Sequence, residues 1–97
     1  MNEKKIIYSI LLEIKNGIQE PKATDYGLSN SQFADIVKII KDSEYANNIA
    51  IAGRDEKLIV WLNKAKITLK GIDFLEQNSA FVKTYKGLKE IRDWIKL

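Results

Sequence analysis

The sequence predicts an α+β domain with the element order of a winged helix-turn-helix: N-terminal helices, a small antiparallel β-hairpin as the wing, and two C-terminal helices. Three observations carry this. Apolar residues recur at helical spacing on both sides of a central segment. That segment holds two short runs rich in β-branched and aromatic residues, separated by a charged loop. A Ser-x-x-Gln box lies just before it and opens a helix. At 97 residues the chain is sized for one domain, residues 1–97.

The elements follow in order. Over residues 3–16, Ile6, Ile7, Ile10, Leu11 and Ile14 share one helical face, and Gly17 supplies the stop. Pro21 closes the connector that follows, because proline cannot continue a helix. Lys22 to Gly27 reads as one helical turn with Gly27 as its C-cap. Ser29 and Gln32 then form a capping box with Leu28 as the staple, opening a helix that runs to about Asp42 on a stripe of Phe33, Ile36, Val37 and Ile40. Asn48 to Ala52 and Leu58 to Leu62 are the two strand-like runs, with 53–57 as the hairpin tip. Thr68 suits the N-cap of a short helix that turns Ile72 and Leu75 inward and breaks at Asn78 and Ser79.

A last helix is expected over residues 80–97. Phe81, Tyr85, Leu88, Ile91 and Ile95 form its stripe, and Lys86–Glu90 and Lys89–Asp93 form i,i+4 pairs on its outer side. The core then draws on Ile7, Ile10, Leu11, Phe33, Val37, Ile40, Leu75, Tyr85, Leu88 and Ile91. In a winged helix the capped 30–42 segment is the recognition helix, and Arg54 to Lys57 tip the wing.

Composition excludes several classes. The chain has no cysteine, which removes disulfides, thiolate metal sites and thiol nucleophiles. It has no histidine, which removes the commonest general base and metal ligand. The acidic residues are scattered and the glycines isolated, so no carboxylate pair or phosphate loop is present. The expectation is a protein that is not an enzyme and takes no cofactor or metal. The apolar run Ile6 to Leu12 is too short for a membrane span and lacks a cleavage motif, so the expected location is cytoplasmic.

Net charge is +3 and unevenly placed. Residues 1–48 hold six lysines against seven acidic side chains; residues 49–97 hold ten basic against six acidic. Candidate nucleic-acid contacts are Asn30, Ser31 and Lys38 on the recognition helix and Arg54 and Lys57 on the wing. Asp35 opposes a polyanion there, and Asp55 and Glu56 neutralise the tip, so a solvated polar surface explains the same residues. Any duplex DNA binding is expected to be weak. On the last helix Trp94 and Val82 flank the apolar stripe, with Lys86 and Lys89 outside it, which makes these four the candidate partner interface, a symmetric dimer contact included. Closure of the core by Trp94 is the competing reading. For Trp61, whose parity opposes Leu58, Val60 and Leu62, the plain expectation is core packing against the C-terminal helix.

The segment Tyr85-Lys86-Gly87-Leu88-Lys89-Glu90-Ile91-Arg92-Asp93-Trp94-Ile95-Lys96 carries a family resemblance, supported by Ile67-Thr68-Leu69-Lys70-Gly71 and Ser31-Gln32-Phe33. On these residues the chain resembles the YjcQ-like proteins, small domains of Gram-positive bacteria and their phages, over nearly its whole length. The resemblance implies about four helices with a small sheet and supplies no catalytic residues. Phage occurrence implies a regulatory or a virion-associated role. The function expected is a non-enzymatic, phage-related winged-helix binding module that acts on DNA or as a regulator. The alternative is a phage structural or assembly protein that uses the same fold for protein contacts.

Overall fold

The first helix, α1 (Glu3–Asn16), begins where Asn2 accepts the Lys5 amide at 3.1 Å and ends at Gly17, which takes the left-handed conformation at φ 67°. Residues 2–54 and 57–96 are described by the computed structural model; the expected hairpin-tip residues Asp55 and Glu56 lie outside them. A 3₁₀ turn over Ala23–Tyr26 follows and closes at Gly27, φ 69°. Helix α2 (Asn30–Asp42) opens on the reciprocal capping box: the Gln32 amide donates to Ser29 Oγ at 3.1 Å, and the Ser29 amide donates to Gln32 Oε1 at 3.0 Å.

Four short strands form next. Ala46–Asn47 (β1) pairs with Lys66–Ile67 (β4), and Ala50–Ala52 (β2) pairs with Ile59–Trp61 (β3), both antiparallel. The expected two-stranded hairpin is present with shorter strands, and the β1–β4 pair at its base was not foreseen from sequence. Helix α3 (Leu69–Gln77) starts at Thr68, whose Oγ1 accepts from the Gly71 amide at 3.1 Å. Gly71 is required by proximity: a Cβ there would lie 2.1 Å from the Tyr45 carbonyl oxygen. That contact brings α3 directly against the residue preceding β1.

The C-terminal segment departs from the single helix expected over 80–97. It comprises a 3₁₀ turn at Ser79–Lys83, a bend through Tyr85 to Gly87, a second 3₁₀ turn at Leu88–Glu90, and helix α4 at Ile91–Ile95. Gly87, at φ 91°, makes the break. Both halves dock through rings instead of one continuous stripe. Tyr8 meets Phe81 edge-on at 5.4 Å between centroids, and Trp94 packs edge-on against Phe81 at 5.5 Å and Tyr85 at 5.1 Å.

The molecule is thus an α+β domain with four α-helices and small antiparallel strand pairs. Its core gathers the residues expected from periodicity. Ile7, Ile10, Leu11, Phe33, Val37, Ile40, Leu75, Leu88 and Ile91 are buried, and Tyr85 is partly buried against them.

Leu11 is fully buried, so Leu11→Ala should lower unfolding free energy by about 3 kcal/mol, within the range for truncated core leucines. A urea midpoint within error of wild type would place Leu11 outside the cooperative core. Loss of the Ser29 cap in Ser29→Ala should cost about 1 kcal/mol in the same melts, with the slope unchanged.

Candidate binding surface

Helix α1 carries a buried hydroxyl at Ser9. Its Oγ lies 2.9 Å from the Tyr26 hydroxyl and 2.9 Å from the Tyr85 hydroxyl, and Tyr85 donates to Glu13 Oε2 at 2.6 Å. Because the carboxylate only accepts, the protons run one way: Tyr26 to Ser9, Ser9 to Tyr85, Tyr85 to Glu13. Burial pushes the Tyr26 phenol well above its usual range; burial and the hydrogen bond to Glu13 push Tyr85 up as well. Ser9 has no solvent access. The chain of hydroxyls satisfies polar groups inside the core and fastens the C-terminal bend to α1.

The second buried polar residue, Lys5, works in the same direction. Its Nζ donates to the Trp94 carbonyl at 3.0 Å and stands 5.0 Å from the centroid of the Trp94 ring. A cation at the carbonyl end of α4 opposes the negative end of that helix. Trp94 is 3% exposed, and its Nε1 donates to Thr84 Oγ1 at 2.7 Å. The expected interface on the last helix is corrected accordingly. Trp94 closes the core because α4 is a separate short helix turned inward. Val82 stays exposed on the preceding 3₁₀ turn, and Lys86 and Lys89 are exposed on either side of Gly87, so the four do not form one apolar shoulder. Among the described residues the ion pairs are Lys22–Glu20 and Lys70–Glu44, so Lys86–Glu90 and Lys89–Asp93 do not close. Arg92 reaches the Thr24 carbonyl at 2.5 Å.

The nucleic-acid candidates divide into two groups. Asn30, Ser31 and Lys38 are exposed on α2, and Arg54 and Lys57 are exposed at the hairpin end. Asn30 lines a groove of about 220 Å³ with Lys22, Thr24, Leu58, Ile59 and Val60, so the start of α2 and the strand leading from Lys57 face one another. Lys38 lies eight residues further along α2, about 12 Å away at helical rise. It shares the exposed side of α2 with Asp35 and Asp42, and Lys41 restores balance, so that side carries no net charge.

The hairpin holds what sequence reasoning missed. Its register sets Ala50 opposite Trp61, Ile51 opposite Val60, and Ala52 opposite Ile59. Alternation sends Ile51, Val60 and the buried Leu62 toward the core. Ala50, Ala52, Ile59 and Trp61 therefore share the outer face and are all exposed, Trp61 by 42% and Ile59 by 51%. The expectation that Trp61 packs in the core is overturned by this register. Glu20 anchors the ribbon from behind, its Oε2 accepting the Leu62 amide at 2.7 Å.

Over residues 8–94 the chain matches the family model described as YjcQ protein. The chain belongs to the YjcQ family. It is 35% identical over 96 residues to "Uncharacterized protein YjcQ" of Bacillus subtilis (strain 168), covering 99% of this chain and all of that protein. No solved structure matches it. No described helix is long and apolar enough to cross a membrane, and no described cluster of acidic side chains is arranged to hold a metal ion.

The hydroxyl chain makes stability alkali-sensitive. Tyr26 and Tyr85 have folded-state pKa values above the unfolded value of about 10. Their contribution is therefore whole below about pH 10 and is lost as pH rises through the folded pKa values. Chemical melts from pH 7 to pH 11 should show stability falling above about pH 10, and falling less steeply in Tyr85→Phe. Parallel curves for the two proteins would remove Tyr85 from the linkage.

Proposed function

We propose that this YjcQ-family protein is a non-enzymatic, winged-helix-like binding module whose hairpin, not the outward side of α2, makes the principal contact. The order of helix, turn, capped helix and hairpin supports the winged-helix reading. The single observation that carries the contact assignment is the outer face of the hairpin, where Ile59 and Trp61 stand exposed. Ile59 and Trp61 lie two residues apart on one face of the same strand, so their exposed surfaces adjoin.

In the DNA-binding form of this proposal, Arg54 and Lys57 meet phosphates and Asn30 and Ser31 lie alongside the groove next to the wing. The balanced charge of α2 leaves base reading there weak. A second reading follows from the same exposed face: a phage structural or assembly role in which the hairpin docks on a protein.

A titration of ¹⁵N-labelled protein with random-sequence duplex, at about 50 mM and about 200 mM salt, tests the assignment. Binding should be weak and largely lost at the higher salt, with amide shifts concentrated on residues 50–61. Tight binding that persists at high salt, with shifts centred on Ser31, Asp35 and Lys38, would return the recognition role to α2.

A further inference from the structure

Trp61 differs from the other described tryptophan in having no aromatic neighbour among the described residues. Trp94 packs among Tyr8, Phe81 and Tyr85, whereas among the described residues no ring packs on Trp61. Its cross-strand partner is Ala50, which brings only a methyl group beside the indole. Ile59, two residues along, continues the apolar surface opposite Ala52.

Charge surrounds this face unequally. At the base, Asn47 and Lys66 are paired across β1 and β4 and both are exposed, and Asn63 and Lys64 are exposed in the turn between Trp61 and Lys66. Neither lysine takes part in the ion pairs formed among the described residues. At the far end Arg54 and Lys57 are exposed, but Asp55 and Glu56 lie between them in sequence. Lys64 and Lys66 follow Trp61 by three and five residues, while Glu13 and Glu20 line a groove with Leu62, Asn63 and Ala65 of the same turn.

We propose that the outer face of the hairpin binds single-stranded nucleic acid, with a base stacked on Trp61 and the adjoining phosphates held by Lys64 and Lys66. The inference rests on the hairpin being the contact surface. An exposed indole beside amides and cations is the combination that single-strand platforms use, since every base offers a π-face and every linkage a charge. A duplex keeps its base faces stacked and offers nothing to the indole. A second copy of the chain fits poorly: four side chains, two of them alanine, expose far less than the roughly 800 Å² per partner that a stable dimer buries. An acidic peptide would satisfy the lysines without engaging the ring plane.

Fluorescence anisotropy of a labelled thymidine oligonucleotide of about 12 residues, measured with the full chain at about 50 mM and about 200 mM salt, provides the test. The oligonucleotide should bind more tightly than a duplex of the same length. Trp61→Ala should weaken binding about 5- to 150-fold with the melting temperature held, and Trp61→Phe should recover most of it. Lys64→Gln with Lys66→Gln should flatten the salt dependence by about 1.4 in log–log slope. Equal affinity for wild type and Trp61→Ala would overturn the proposal. So would preference for duplex, preference for a poly-glutamate peptide, absence of oligonucleotide binding, or self-association abolished by Trp61→Ala. Duplex binding lost in Trp61→Ala would overturn the single-strand proposal alone. Amide shifts lying away from the hairpin would overturn the hairpin assignment as well.

Discussion

Helix α1 is buried without a break from Lys5 to Leu11, so two full turns of it must be covered on every side. A helix sunk this deeply cannot rely on one amphipathic stripe. Helices α2 and α3 cover part of it with aliphatic side chains, and the C-terminal segment must cover the rest. That side of α1 presents Lys5, Tyr8 and Ser9, an ammonium, a phenol ring and a hydroxyl, and burying polar groups without partners would cost several kcal/mol. The partners come from distant sequence: the Trp94 carbonyl for Lys5, and Tyr26 and Tyr85 for Ser9. The C-terminal residues are therefore ordered by what α1 demands, not by their own helical propensity.

This explains which features were legible in the sequence. Ends of elements were: Gly17, Gly27, the Ser29–Gln32 box and Thr68 each do the local job their chemistry suggests. The core positions were also legible, because helical periodicity marks the side that leaves water. The continuous last helix was not. The spacing from Phe81 to Ile95 mimics one stripe, yet the side chains reach the core from two pieces set at an angle by Gly87. A glycine inside a periodic run was the one local clue.

The candidate surface was harder to read for a different reason. Both faces of the Leu58 to Leu62 run are apolar, so alternation shows that two faces exist without showing which is inward. The register with β2, together with the Glu20 contact to Leu62, decides it. The wing residues Arg54 and Lys57 could be located from sequence, but the outward side of Trp61 could not.

The two strand pairs are out of step. Between Asn47↔Lys66 and Ala50↔Trp61, residues 48–49 on one side face residues 62–65 on the other, and Asn48 takes a positive φ of 59°. A two-stranded ribbon has two open edges, and a long flat edge with apolar side chains is a template for uncontrolled strand addition. Among the described residues no strand exceeds three residues, and the turn closed by the Ala65 amide on the Leu62 carbonyl at 3.1 Å separates the two pairs. The same irregularity that shortens the strands thus lets the protein display isoleucine and tryptophan on a hairpin while denying incoming chains a straight backbone on which to polymerise.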